Sequence, residues 1–262
     1  MSYPIVHELL TELKLYGIEQ TLDTKVEEWS HKNEDVLSLL QTLLQEEKHA
    51  RMASKVKSRT RYAGFPFHKT LNDFDFSFQP SIDKALIQTL SSLKFLYNHE
   101  NILFLGAPGV GKSHLAIGLG MRVAEEGKQP YFIPAITLVD KLKTAFKEYR
   151  FDTVMRFFRS VDLLIIDELG YLPLDLEGSK LLFELISSRY EKGSIILTSN
   201  RPFSEWDKVF SDHVIATAIL DRILHHSHIV NIRGKSYRLK EKMKSGLWEG
   251  TPHKNSGETS HF

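Results

Sequence analysis

The chain has 262 residues, is 42% hydrophobic and carries a formal charge of +1, enough apolar material for one substantial core and a smaller appendage. It contains no cysteine, which excludes disulfides and thiolate metal sites. No apolar run approaches the roughly 18 residues of a membrane span, and MSYPIVHELL lacks a basic segment followed by an apolar stretch, so a soluble cytoplasmic protein without membrane contact is expected.

From His7 to Met52 the pattern is helical. Leu9, Leu10 and Leu13, then Val36, Leu37, Leu40, Leu43 and Leu44, recur at three- and four-residue steps, predicting a small all-helical N-terminal domain over residues 1–62. The last of these helices continues through Lys48, Arg51, Lys55 and Arg59, whose spacing places their charges on one face. Between Lys48 and Lys69 there are seven Lys or Arg residues and no acid, and Gly64-Phe65-Pro66 ends the helix. Arg233, Lys235, Arg238, Lys240, Lys242 and Lys244 form a second basic segment against only Glu241. Such segments in a neutral protein read either as contact surfaces for a polyanion or as solvated helix faces.

Beyond Pro66, short apolar runs alternate with amphipathic segments: ILFL at Ile102, YFI at Tyr131, VDLLIID at Val161, SIILTSN at Ser194 and HIVNI at His228. This alternation predicts an α/β domain over 63–240, with a five-stranded parallel sheet covered on both faces. Residues 241–262 hold too little apolar material for another domain and are expected to form a basic, disordered tail.

NILFL-GAPGVGKS-HLAIGLGMRVAEEG reads as strand, glycine-rich turn and helix, the context in which G-x-x-x-x-G-K-S cradles phosphates. Gly106, Ala107, Pro108, Gly109, Val110, Gly111, Lys112, Ser113 and His114 are therefore the expected ATP contacts. The glycines free backbone N–H groups to wrap the phosphates, Lys112 supplies a cation to the β- and γ-phosphates, and Ser113 ligates Mg²⁺. VDLLIIDE ends in two acids that packing alone would not place there. Asp167 is positioned to hold Mg²⁺ and Glu168 to activate water, unless the pair merely starts a helix. Asn200, ending the next strand, is a candidate for holding the attacking water, or else a turn residue.

Together GAPGVGKSHLAIGLG, LLIIDELGYLPLD, SIILTSNRPFSEWDKVFSD and AILDRILHHSHIVNIRGKSYRLK resemble the AAA+ ATPases, and within them the IstB-like helpers of insertion-sequence transposition, close to the DnaC helicase loader. The resemblance covers nearly the whole chain. It implies a sheet order of 5-1-4-3-2, a Walker B pair at Asp167 and Glu168, and a sensor at Asn200. It also implies a homo-oligomer with active sites between protomers, a duplex DNA partner and a transposase partner. An arginine from the neighbouring subunit is expected to complete the site. Arg222 is the candidate and Arg201 the second, either of which can instead be a surface arginine.

The helical lid of the full AAA+ pattern is missing, and Arg238 is only a weak substitute for a lid arginine. Phe74 and Phe76 in LNDFDFSFQP suit either adenine contact or core packing. Lys141, Lys143, Lys147, Arg150, Arg156 and Arg159, between the second and third strands, suit a DNA backbone. The reading is a DNA-stimulated ATPase assisting a transposase; the alternatives are a replicative helicase loader and a small-molecule kinase, the latter disfavoured by the adjacent acids without a lid.

Overall fold

A computed structural model describes residues 3–31 and 35–244. The chain begins with three helices, α1 (Pro4–Glu12), α2 (Tyr16–Ser30) and α3 (Val36–Tyr62). Asp35 starts α3 by accepting the Ser38 N–H at 2.8 Å, the side-chain cap that a helix N-terminus needs. Ile18, Leu22 and Leu43 form a small core where α2 crosses α3. Buried Glu47 of α3 accepts the N–H groups of Gly17 and Ile18 at 2.7 and 3.2 Å, satisfying the open end of α2. The end of α3 docks on the sheet domain, where the Ala63 carbonyl accepts the Phe132 N–H at 2.7 Å.

After α4 (Lys84–Ser91) and α5 (Lys94–Tyr97) come β1 (Asn101–Gly106), α6 (Lys112–Glu125), β2 (Pro130–Pro134), α7 (Ala135–Lys147) and α8 (Phe151–Ser160). They are followed by β3 (Leu163–Leu169), α9 (Leu176–Arg189), β4 (Ser194–Ser199), α10 (His213–Leu224), β5 (Ser227–Ile232) and α11 (Tyr237–Lys244). All pairings are parallel, in the order β2-β3-β4-β1-β5, which is the expected 5-1-4-3-2 read from the other edge.

Alternate strand residues serve opposite faces. Ile102, Phe104, Leu163, Ile165 and Ile196 pack with α4, α5 and α6, whereas Leu103, Leu164, Ile166, Ile195 and Leu197 pack with α7, α9 and α10. At the base of the sheet, buried Arg189 donates to the carbonyls of Phe158, Val161 and Ser194 at 2.6–3.0 Å. Desolvation pulls its pKa down to about 10. This leaves the opposite, C-terminal end of the strands open for a ligand, as parallel sheets generally do.

The segment between β2 and β3 packs its apolar face on the sheet: Leu138, Leu142, Met155 and Phe158 of α7 and α8 are buried in the core. Half of its cations are engaged, Lys141 with Tyr131, Lys143 with Asp175 and Arg150 with Glu148. Residues 241–244 continue α11 rather than beginning a tail, and the expected disorder of the tail falls on residues 245–262, outside those described. Among the described residues no helix is long and apolar enough to cross a membrane.

Candidate ATP site

The glycine-rich loop runs from the end of β1 into α6, and its torsions explain its composition. Gly111, at the start of α6, has φ +105°, and a Cβ there would stand 2.6 Å from the Phe74 ring. Gly109 has φ +81°, and a Cβ would collide with the Ser236 hydroxyl just ahead of α11. The Gly109 carbonyl accepts the Tyr237 N–H at 2.9 Å, so the chain after β5 closes directly over the loop. Val110 is fully buried and anchors the loop to the core.

Lys112 is buried, and its ammonium donates to the carbonyls of Gly106 and Ala107 at 2.7 and 2.9 Å. Desolvation lowers its pKa below the usual lysine value, and Arg238 adds to that direction while Asp167 and Glu168 oppose it. A cation held against loop carbonyls beside two acids is poised for a stronger anion. His114, next to Ser113, meets the Thr70 carbonyl at 2.8 Å, and burial lowers its pKa, so the neutral ring donates there.

The acids arrive from β3. Asp167 is buried and its carboxylate accepts the Ser113 hydroxyl at 2.9 and 3.0 Å. Register breaks after this point: Ile166 pairs Leu197 and Leu169 pairs Ser199, so two residues of β3 oppose Thr198 alone. This bulge puts Glu168 in the left-handed region at φ +62° and turns its exposed side chain into the cavity. Asn200 follows β4 on the same rim, with its side-chain oxygen buried and lacking a hydrogen-bond partner among the described residues.

These groups surround one cavity of about 320 Å³. Pro108, Gly109, Gly111, Lys112, Ser113, His114, Glu168 and Asn200 line it, bringing together most of the sequence-predicted site. Asp167 touches it through Ser113, and Gly106 and Ala107 contribute carbonyls. The donor set fits the expected ligands: glycines with backbone N–H groups and a cation for phosphates, a hydroxyl and carboxylates for the hard Mg²⁺ ion. Ser113 and Asp167 are the residues that would hold that ion.

Other candidates lie outside the cavity of their own chain. Arg222 lies on α10 away from the cavity, its guanidinium 4.7 Å above the Phe183 ring and donating to the Ala218 carbonyl at 3.0 Å. Arg201 pairs with Glu205 at 2.8 Å. Phe74 and Phe76 do not line the cavity; Phe74 is buried against Gly111, His114 and Tyr237, so packing accounts for it. The lining residues missed in sequence are Phe67, Lys69, Asp73, Asp75, Tyr171 and Tyr237. The alternation Asp73-Phe74-Asp75-Phe76 was the available signal, with the acids facing the cavity and Phe74 the core. Arg238 also lines the cavity, because α11 follows a segment that closes over the loop.

The model of one family, described as IstB-like ATP binding protein, matches residues 8–245, which include every cavity residue. A protein of insertion sequence IS21 from Pseudomonas aeruginosa, named for ATP binding, is 43% identical over 245 residues, covering 92% of each chain. The chain belongs to the IstB-like ATP binding protein family. Among solved structures, the DnaC helicase loader superposes with TM-score 0.52 at 21% identity, over 67% of this chain and 99% of that one. AMPPCP-bound DnaA from Aquifex aeolicus gives 0.53 at 22% identity, over 72% of this chain and 58% of that one. At such identities the likeness establishes the AAA+ fold of the IstB-like chain and no more.

Proposed function

We propose that this protein is a cytoplasmic Mg²⁺-dependent ATPase that engages duplex DNA and recruits or stimulates a transposase. The observation that carries the reading is the convergence of Lys112, Ser113, Asp167, Glu168 and Asn200 on one cavity at the C-terminal ends of β1, β3 and β4. In it Lys112 neutralises the terminal phosphates, Ser113 and Asp167 hold Mg²⁺, Glu168 activates the attacking water and Asn200 orients it. Held by Ser113 and Asp167, Mg²⁺ would supply positive charge to offset what develops as the terminal group transfers.

Residues 1–62 serve as a helical N-terminal domain and 63–240 as the ATPase domain. Among the described residues, exposed Lys48, Lys55 and Lys57 on α3 form no ion pair, which supports a phosphate-contacting role without base reading. The relatives carried by insertion sequences support transposition as the setting. Assembly of several copies places Arg222 at a neighbour's phosphates, a role suited to an arginine far from its own cavity.

The test is the ATPase rate of the purified protein with duplex DNA, with single-stranded DNA and without DNA. Duplex stimulation that disappears in Glu168→Gln supports this reading. Stimulation by single strands alone favours the helicase-loader alternative, and no turnover in any condition removes the ATPase assignment.

A further inference from the structure

Thr198 is a fully buried β4 residue facing the β3 bulge, where Asp167 and Glu168 together oppose it. Its hydroxyl donates to Asp167 Oδ1 at 2.6 Å and accepts the Glu168 N–H at 2.9 Å. One hydroxyl thus satisfies a carboxylate and a backbone amide on consecutive residues, using its single proton and one lone pair. Packing requires no hydroxyl here, because valine has the same branched shape and suits a central strand. What the hydroxyl adds is aim.

Among the described residues the Asp167 carboxylate has only two partners, the hydroxyls of Ser113 and Thr198. Once Ser113 turns its oxygen to a cation, Thr198 is the one that still fixes the carboxylate. The same hydroxyl pins the amide of Glu168, whose left-handed backbone is disfavoured for a residue with a Cβ. We propose that Thr198 is a positioning residue for hydrolysis, holding the Asp167 carboxylate at the metal position and the Glu168 backbone in the conformation that aims its side chain at the attacking water.

This inference rests on the Mg²⁺–ATP reading above, and the test separates the two. Binding of a fluorescent methylanthraniloyl ATP is measured in EDTA and across a Mg²⁺ titration, with turnover and thermal unfolding, for the parent, Thr198→Val, Thr198→Ala and Thr198→Ser. The binding arm is repeated in Glu168→Gln, where hydrolysis is silent. Thr198→Val should bind as the parent does in EDTA, yet need roughly 10-fold more Mg²⁺ and turn over ~10- to 100-fold more slowly at unchanged KM, the usual cost of losing an outer partner of a metal ligand. Thr198→Ser should recover both properties.

A Thr198→Val protein with the parent's Mg²⁺ midpoint and turnover overturns the proposal, as does failure of serine to rescue. If both Val and Ala variants lose the fold or EDTA binding, the hydroxyl is structural and the proposal also falls. A parent without Mg²⁺-dependent binding or turnover fails the ATPase reading and this inference with it, whereas an intact parent beside an inert Thr198→Val fails this inference alone.

Discussion

The hydroxyl of Ser113 lies 2.9 and 3.0 Å from the two carboxylate oxygens of Asp167, joining the start of α6 to the end of β3 across 54 residues of chain. A hydroxyl donating to a carboxylate holds the place where a hard divalent ion takes both as oxygen ligands. Asp167→Asn should therefore keep metal-free ATP binding while losing most of the tightening that Mg²⁺ brings, about 10- to 100-fold. Nucleotide titration in EDTA and in Mg²⁺ checks it. Equal Mg²⁺ enhancement in the variant takes Asp167 out of the metal site.

Lys112 makes its cation available at a cost. Desolvation holds its pKa below 10.5 in the free protein, and bound phosphates should raise it again. ATP binding then favours the protonated amine, so affinity should be flat below the free-state value and fall as pH rises through it. The linkage to folding runs the other way: the unfolded lysine keeps its proton longer, so this group's contribution to stability rises with pH over that alkaline window. Lys112→Ala should weaken ATP binding by about 1.5–3 kcal/mol, the worth of a charged hydrogen bond, or ~10- to 100-fold. Calorimetric titration at stepped pH reads both effects, and a pH-independent affinity across the lysine range counts against Lys112 as the phosphate cation.

At φ +62°, Glu168 occupies a conformation that costs an ordinary residue about 1–3 kcal/mol, and such strain gathers at functional sites. Asparagine tolerates the left-handed region better. Glu168→Asn should therefore raise the unfolding midpoint by about 2–4 °C per kcal/mol recovered and abolish turnover, with ATP binding retained. Calorimetry beside an ATPase assay checks the pair of outcomes. A variant that loses stability as well as activity shows that the backbone there is not strained.

The parallel sheet, the loop and the two acids were legible because each leaves a local mark: alternating apolar runs, a strand-to-helix glycine motif, or an apolar strand ending in charge; the strand order came from the resemblance to the AAA+ ATPases. What stayed hidden depends on contacts distant in sequence. Nothing local marks Thr198 as the partner of Asp167 and Glu168, since the β3 bulge that opposes all three exists only once β3 and β4 are paired. Tyr237 enters the cavity because its amide is tied to Gly109, 128 positions earlier in the numbering of the chain. The two readings of Phe74 stayed open for a related reason: the glycine that its ring packs against serves both a phosphate turn and a core contact.

On the basic face of α3, the sequence pattern treated Arg51 like its neighbours, but its guanidinium pairs with buried Glu47 at 2.5 Å and reaches the Lys14 carbonyl at 3.3 Å. Its partners are structural. Lys48, Lys55 and Lys57 are exposed and without ion pairs among the described residues, so replacing all three by alanine should weaken duplex DNA binding similarly across sequences and reduce the salt slope by about 1 per lost phosphate contact. Arg51→Ala should instead lower thermal stability, because it strips a partner from a buried carboxylate, and leave the slope unchanged. Binding isotherms at several salt concentrations distinguish them; an unchanged slope in the triple variant makes this face merely solvated.

Arg222 supplies the last prediction. Its guanidinium rests on Phe183 and the Ala218 carbonyl, outside its own cavity, so any action on phosphate must be on that of another copy. A cation arriving in trans matters most as charge builds on the transferring oxygens, so Arg222→Ala should bind ATP nearly as the parent does and lose turnover by roughly 10³–10⁵, the range for such arginines. Loss of turnover alone does not show where the arginine acts. Mixing Arg222→Ala with Glu168→Gln does, because co-assembled copies create some sites that combine an intact Glu168 from one chain with an intact Arg222 from the next. ATPase activity in the presence of DNA should partly return in the mixture while each variant alone stays silent. If co-assembly is verified by crosslinking and the mixture remains silent, Arg222 does not act across an interface, and Arg201, held to Glu205 on the rim beside Asn200, is the arginine to replace next.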